Sequence, residues 1–267
     1  MRLLLMLVTF GVVLVVSAAV NSAAAGNAVT ALVFGALTAS AGLMVYRMMV
    51  RRLEKRPVDE AAGATLLPGV LRGAAAGVGL FAVTIALIAV CGGYRITGWG
   101  SVWGMLASLG TMTGAAVAEE LLFRGVLFRL VEQWAGTLVA LVVSGVLFGA
   151  LHLLNPGATL WGAIAIAAEA GVMLGAAYTA TRSLWVPIGL HLGWNFAESG
   201  LFGTIVSGTG TAPHGLLRSV TEGPAAISGG GFGPEGSVFA ILVGGVTAAV
   251  LLRHAHRRGR IVRAGRR

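Results

Sequence analysis

Long apolar runs, separated by short polar or glycine-rich breaks, fill most of this chain. Runs near 3–20, 28–46, 74–92, 102–123, 138–154, 159–180, 185–205 and 237–252 approach the ~20 residues a helix needs to cross a bilayer. The fourth run predicts a helix that continues to 133, because its apolar period does not stop at the polar residues near 120. Each run should be helical, since lipid offers no partner to an open backbone. The pattern predicts an all-α fold: a polytopic integral membrane helical bundle of about eight transmembrane helices. Residues 1–25 also resemble a signal peptide, with Arg2, an apolar stretch and a small-residue site in "NSAAAG". The apolar stretch is long for that role, which favours an uncleaved first helix.

The breaks divide the chain into four parts. Residues 1–73 hold the first two spans, a basic loop and a segment, 57–72, that reads as a short interfacial helix. Residues 74–205 hold spans three to seven, with the polar positions of interest in 119–195. Residues 206–236 form a glycine-rich loop expected on the extracytoplasmic side, and 237–267 carry the last span and an arginine-rich tail.

Composition supports the membrane reading. Only 11% of residues are charged, against the ~25% of a soluble domain, and mean hydropathy is +0.87. The net charge of +9 is concentrated. Arg47, Arg51, Arg52, Lys55 and Arg56 form one cluster, and seven arginines in 253–267 form another. Both flank apolar spans, so they read as positive-inside signals rather than a nucleic-acid surface. Alternation then puts both termini in the cytoplasm of a multi-pass protein of the cell inner (plasma) membrane. Heavy use of Ala, Gly and Arg beside a single lysine gives the chain a bacterial character. The lone cysteine, Cys91, excludes an internal disulfide and a cysteine-based zinc site.

Against this background a few polar residues stand out, because a charge at mid-bilayer costs about 2.5–3.5 kcal/mol. In "EELLFR", Glu120 and Arg124 are four apart and share a helix face, while Glu119 points about 100° away. In "FGALH", Phe148 and His152 share a face. In "HLGWN", His191 and Asn195 do the same, and Glu198 extends that face by a turn. Glu169 is an isolated acid, able to pair with a histidine or to bind a proton or ion. Bringing the three faces together would satisfy these groups and build one wet site. The chemistry suggested is hydrolysis: a glutamate takes a proton from water, a histidine orients that water, and Asn195 with His191 donates to an oxyanion.

The ordered series "EELLFR" (119–124), "FGALH" (148–152) and "HLGWN" (191–195) resembles the three motifs of the CPBP family of intramembrane proteases. That family includes the type II CAAX prenyl endopeptidases and bacteriocin-immunity proteins. The resemblance covers roughly residues 100–205. It implies that Glu119 is the base that activates water and that His152 helps hold that water. It implies that Glu120 and Arg124 are the supporting pair, and that His191 and Asn195 position water or stabilise an oxyanion. The implied partners are a peptide or protein substrate at the membrane and the lipid bilayer, with no nucleic acid. No cofactor is favoured; a possible Zn would take Glu119, His152 and His191, although no H-E-x-x-H helix is present. Glu169 and Glu198 lie outside the family pattern. Two other readings of the same features are an ion- or proton-coupled transporter and a non-catalytic immunity or scaffold protein.

Overall fold

The computed structural model describes residues 2–210 and 215–264. The parts of the predicted loop and tail at 211–214 and 265–267, and Met1, lie outside the described residues. Helices α1 (Arg2–Ala24), α2 (Ala28–Met49) and α3 (Leu66–Val90) open the chain. α4 (Val102–Glu120) continues through a π-helical stretch, Leu121–Phe128, into α5 (Arg129–Leu151). This long rod is broken at Gly136, whose φ of +83° reverses the chain. α6 (Leu160–Ile166) and α7 (Val172–Thr181) are one rod joined by a π-turn, Ala167–Gly171. α8 (Trp185–Asn195) runs into a third π-helical stretch, Phe196–Leu201. A short α9 (Ala225–Ser228) precedes the last rod, α10 (Val238–Arg257).

Among the described residues the expected eight rods are therefore present, and six helices are long and apolar enough to cross a membrane. Gly136 separates the fourth and fifth predicted spans within one of these six. The seventh predicted span, α8, is short and buried along most of its length. Three details differ from expectation. Residues 57–72 form no interfacial helix: two 3₁₀ turns, Asp59–Ala61 and Gly63–Thr65, lead directly into α3, which starts eight residues before the predicted edge. Two strands, β1 (Tyr94–Trp99) and β2 (Leu217–Thr221), pair antiparallel and tie the glycine-rich loop to the α3–α4 connection. The tail also folds back, its Val262 exchanging hydrogen bonds with Thr137 at the Gly136 break.

α8, which carries His191 and Asn195, is seated by small residues. Gly73 and Gly77 of α3 face Gly189 and Gly193 of α8, and Gly69 packs against Trp185. A Cβ on Gly73 would stand 2.3 Å from the Val186 carbonyl, and one on Gly193 would stand 2.2 Å from the Ala74 carbonyl. Small residues at four-residue spacing let two backbones touch where lipid provides no hydrophobic drive. Gly35 and Gly110 perform the same service for α2 and α4.

The basic clusters gather at one end of the bundle. There Arg56 and Tyr46 both donate to Glu60, at 2.6 Å each. Arg129 pairs with Glu54, and Arg182 with Glu132. Burial alone would raise the Glu60 carboxyl, but hydrogen bonds from Arg56 and Tyr46 hold it below its ordinary value.

Two outcomes follow. Gly193→Val drives a side chain into the α3 backbone and should cost about 1–3 kcal/mol, seen as a lower melting temperature in detergent. Because the Glu60 carboxyl is depressed in the fold, its stabilisation is present at neutral pH and lost as pH falls through that depressed value. Glu60→Gln should therefore flatten the acid limb of the melting-temperature profile.

Candidate active site

The site is organised around one cation. Arg124 is fully buried. Its Nη1 donates to Glu120 Oε1 at 2.8 Å, closing the pair expected from the four-residue spacing. Its Nη2 reaches the Ala170 and Gly171 carbonyls at 3.3 and 3.0 Å, both in the π-turn before α7. The guanidinium also lies 4.8 Å from the Phe148 ring centroid on α5. Glu120 Oε1 in turn accepts from His191 Nδ1 at 3.0 Å. One guanidinium thus connects α4, α5, the α6–α7 rod and, through Glu120, α8.

Glu119 is placed differently. Its side chain keeps 16% of its exposure while that of Glu120 keeps none. Its Oε2 has no hydrogen-bond partner among the described residues and lies 3.8 Å from His191 Nε2. The adjacent acids are therefore divided: one locked in a charge network, the other turned toward open space. That space is a cavity of about 920 Å³ between α1 and α4, with Glu119 on its wall.

The histidines carry determined tautomers. His152 Nδ1 is 2.7 Å from the Phe148 carbonyl, and a carbonyl only accepts, so Nδ1 bears the proton. His191 Nδ1 faces a carboxylate oxygen and donates likewise. When neutral, each ring presents an Nε2 lone pair; that of His191 lies 3.8 Å from Glu119 Oε2.

His152 follows α5, which runs antiparallel to α4, and helix stagger sets its level. Phe123 and Phe148 pack edge to face at 5.0 Å. Glu119 lies one turn before Phe123 on the helix running toward the basic end. His152 lies one turn after Phe148 on the helix running away from it. Both steps lead in the same direction, so His152 comes to the level of Glu119 although the two stand at opposite ends of their predicted spans. The Phe148 ring lies 4.8 Å from the His152 ring and 5.9 Å from the His191 ring. Asn195 is nearly buried one turn beyond His191.

The additional acids form a separate group. Glu169 and Glu198 are fully buried, and their carboxylate oxygens find no partner among the described residues. Glu169 therefore does not join a histidine. Near them lies Glu235, which accepts from Trp194 Nε1 at 3.0 Å and from the Ser207 hydroxyl. Glu235 pins the glycine-rich loop onto the helix of the third motif. Nothing in its setting, "GFGPEGS", separates it from a solvated loop acid, so no pattern along the chain marks it.

A zinc ion would need ligands that converge. Both histidines are oriented as metal ligands usually are, with Nδ1–H donated to a backbone carbonyl or a carboxylate. Among the described residues, however, no three His, Cys, Asp or Glu side chains come together closely enough to hold a metal. The set Glu119, His152 and His191 does not fit as it stands.

Residues 101–197, about a third of the chain, match the family model described as type II CAAX prenyl endopeptidase Rce1-like. The matched stretch contains all three motifs. No curated protein and no solved structure matches the chain.

Removing Arg124 and removing Glu169 should have opposite consequences. Arg124→Gln leaves Glu120 as an uncompensated buried charge and should cost about 3–5 kcal/mol. Glu169→Gln removes a carboxylate without a partner and should be neutral or stabilising. Thermal melting of the two variants in one detergent checks the contrast.

Proposed function

We propose, from a core that the family match assigns to the CPBP/CAAX proteases, that this chain is an intramembrane endopeptidase in which Glu119 activates water. The observation that carries this reading is the division between the two acids. Glu120 is fully buried and held through Oε1 by Arg124 and His191, whereas Glu119 keeps some exposure, makes no hydrogen bond and lines a cavity. A carboxylate in that position can take a proton from water.

The chemistry follows from the donors and acceptors present. Water donates one proton to the Glu119 carboxylate and its other hydrogen bond to a histidine Nε2. Its oxygen forms a bond to the substrate carbonyl carbon. The Asn195 amide NH₂ can donate to the resulting oxyanion, as can a protonated His191 between its two carboxylates. The C–N bond then breaks, and Glu119 passes its proton to the leaving amine. Glu120 and Arg124 hold the His191 ring and do not touch the substrate.

The substrate is a peptide or protein at the membrane, and the end of the bundle bearing the basic clusters is assigned to the cytoplasm by the positive-inside rule. This mechanism runs on the chain's own groups. A zinc-dependent reaction, in which the metal would act as Lewis acid, requires Glu119, His152 and His191 to move together.

Glu119→Gln should lower turnover of a cleaved peptide by about 10²–10⁴-fold, the usual range for a general base. The protein should keep its melting temperature, because Glu119 makes no hydrogen bond to lose. Asn195→Ala should lower kcat by about 10²–10³-fold with little change in KM. Activity that tracks stoichiometric zinc across purified samples would support the metal-dependent reading. Full turnover by Glu119→Gln would overturn the proposal.

A further inference from the structure

The arginine tail is folded back on the bundle. α10 stops in a turn at Gly259, whose φ of +64° lies in the left-handed region that favours glycine. The Arg260 amide donates back to the Ala255 carbonyl at 2.9 Å and closes the turn. The chain then meets two other rods. Arg260 donates through Nη1 to the Ala180 carbonyl near the end of α7, and its own carbonyl accepts from Arg182. The Val262 amide donates to Thr137 Oγ1 at 2.9 Å, and the Val262 carbonyl accepts from the Thr137 amide at 3.0 Å. Thr137 is the first residue of α5 after the Gly136 break. The tail is thus a hook that joins α10, α7 and α5.

The hook encloses a cavity of about 370 Å³, lined by His256, Gly259, Ile261, Val262 and Arg263. Two basic side chains therefore share a wall with two apolar ones. The charge around it is uncompensated. Residues 253–263 carry five arginines and no acid. Four of the five are exposed, and among the described residues none forms an ion pair. Glu54, Glu60 and Glu132 at this end are committed to Arg129, Arg56 and Arg182. Folding so many like charges into a hook is opposed by their repulsion, which an anion between them relieves.

The hook lies at the level of lipid headgroups. A Cβ on Gly136 would stand 2.9 Å from both the Val262 carbonyl and the Ala264 amide, so the tail sits on the break itself. Trp134, two residues earlier, is 61% exposed, as an indole at a membrane interface is. α10, long and apolar enough to cross a membrane, ends at Arg257 just before the hook. Arginine beside a membrane rod attracts anionic headgroups, and its planar fork fits a phosphate through two N–H donors. A soluble anion uses the basic groups alone, whereas a lipid also meets Ile261 and Val262.

We propose that the hook binds the phosphate of an anionic phospholipid in this cavity, through Arg263 and His256, and that the bound lipid holds the tail on the start of α5. A positive-inside bias requires only charge on one side of the membrane; this site requires these two side chains. No residue assigned to catalysis takes part, so the site stands or falls apart from the protease reading.

The experiment follows amide hydrogen exchange of the full chain in phosphatidylcholine nanodiscs, with and without phosphatidylglycerol. Phosphatidylglycerol should slow exchange at Thr137 and Val262 by about tenfold. The two amides should slow together, because they lie in one hydrogen-bonded pair. With His256→Gln and Arg263→Gln the slowing should fall below about twofold. Arg51→Gln with Arg52→Gln removes at least as much charge from the other exposed cluster, which lines no part of the cavity, and should keep the full effect. Slowing that survives in the first variant, or is lost equally in both, reports general surface charge and overturns the pocket. No slowing in the unmodified chain overturns the proposal without recourse to any variant. Equal slowing by inorganic phosphate in phosphatidylcholine alone assigns the site to a soluble anion and overturns the lipid.

Discussion

A guanidinium buried in a membrane bundle must be surrounded by acceptors, and that requirement shapes the centre of this protein. Arg124 meets most of it with a carboxylate on its own helix, two carbonyls of the α6–α7 rod and an aromatic face on α5, while its Nε finds no partner among the described residues. The carbonyls it uses belong to a π-turn, where the regular helical ladder is interrupted. The carboxylate it neutralises holds the histidine of α8. Each of these contacts fixes an element packed around the proposed site. Glu119 stands next to this network without belonging to it, and that position gives it its chemical freedom.

The supporting structure works by close approach rather than by charge. Glycines on α3 and α8 bring two backbones into contact and set the depth of His191. At the end opposite the basic clusters, Glu235 holds a loop on Trp194, within the third motif, and the β1–β2 pair ties that loop to the start of α4. At the basic end, ion pairs among Glu54, Glu60, Glu132 and their arginines fasten the rods where lipid gives way to water. The proposed catalytic region thus lies between two fastened ends, beside a cavity lined by Glu119.

Much of this was legible along the chain. Apolar run length gave the eight rods, since a bilayer imposes one dimension on every span. The Glu120–Arg124 pair followed from helical period alone. Other features were not legible for definite reasons. Strands β1 and β2 lie in segments too short and glycine-rich to show a period of two. Glu235 resembles any loop acid until the loop is seen to be docked. The seating of Asn21 depends on a neighbour 93 positions away, Gly114, whose absent side chain makes its space.

The sequence by itself determined which residues are polar within apolar runs and which of them share a helix face, because period and hydropathy are local properties. Only the tertiary structure decided how the rods slide past one another. From span ends alone Glu119 and His152 stand at opposite sides of the membrane. The packing of Phe123 on Phe148 sets a stagger that brings them to one level. Likewise the sequence presents Glu119 and Glu120 as adjacent equals. Their separation into a locked acid and a free one comes from which face meets Arg124 and α8, a matter of contact between helices that no local pattern encodes.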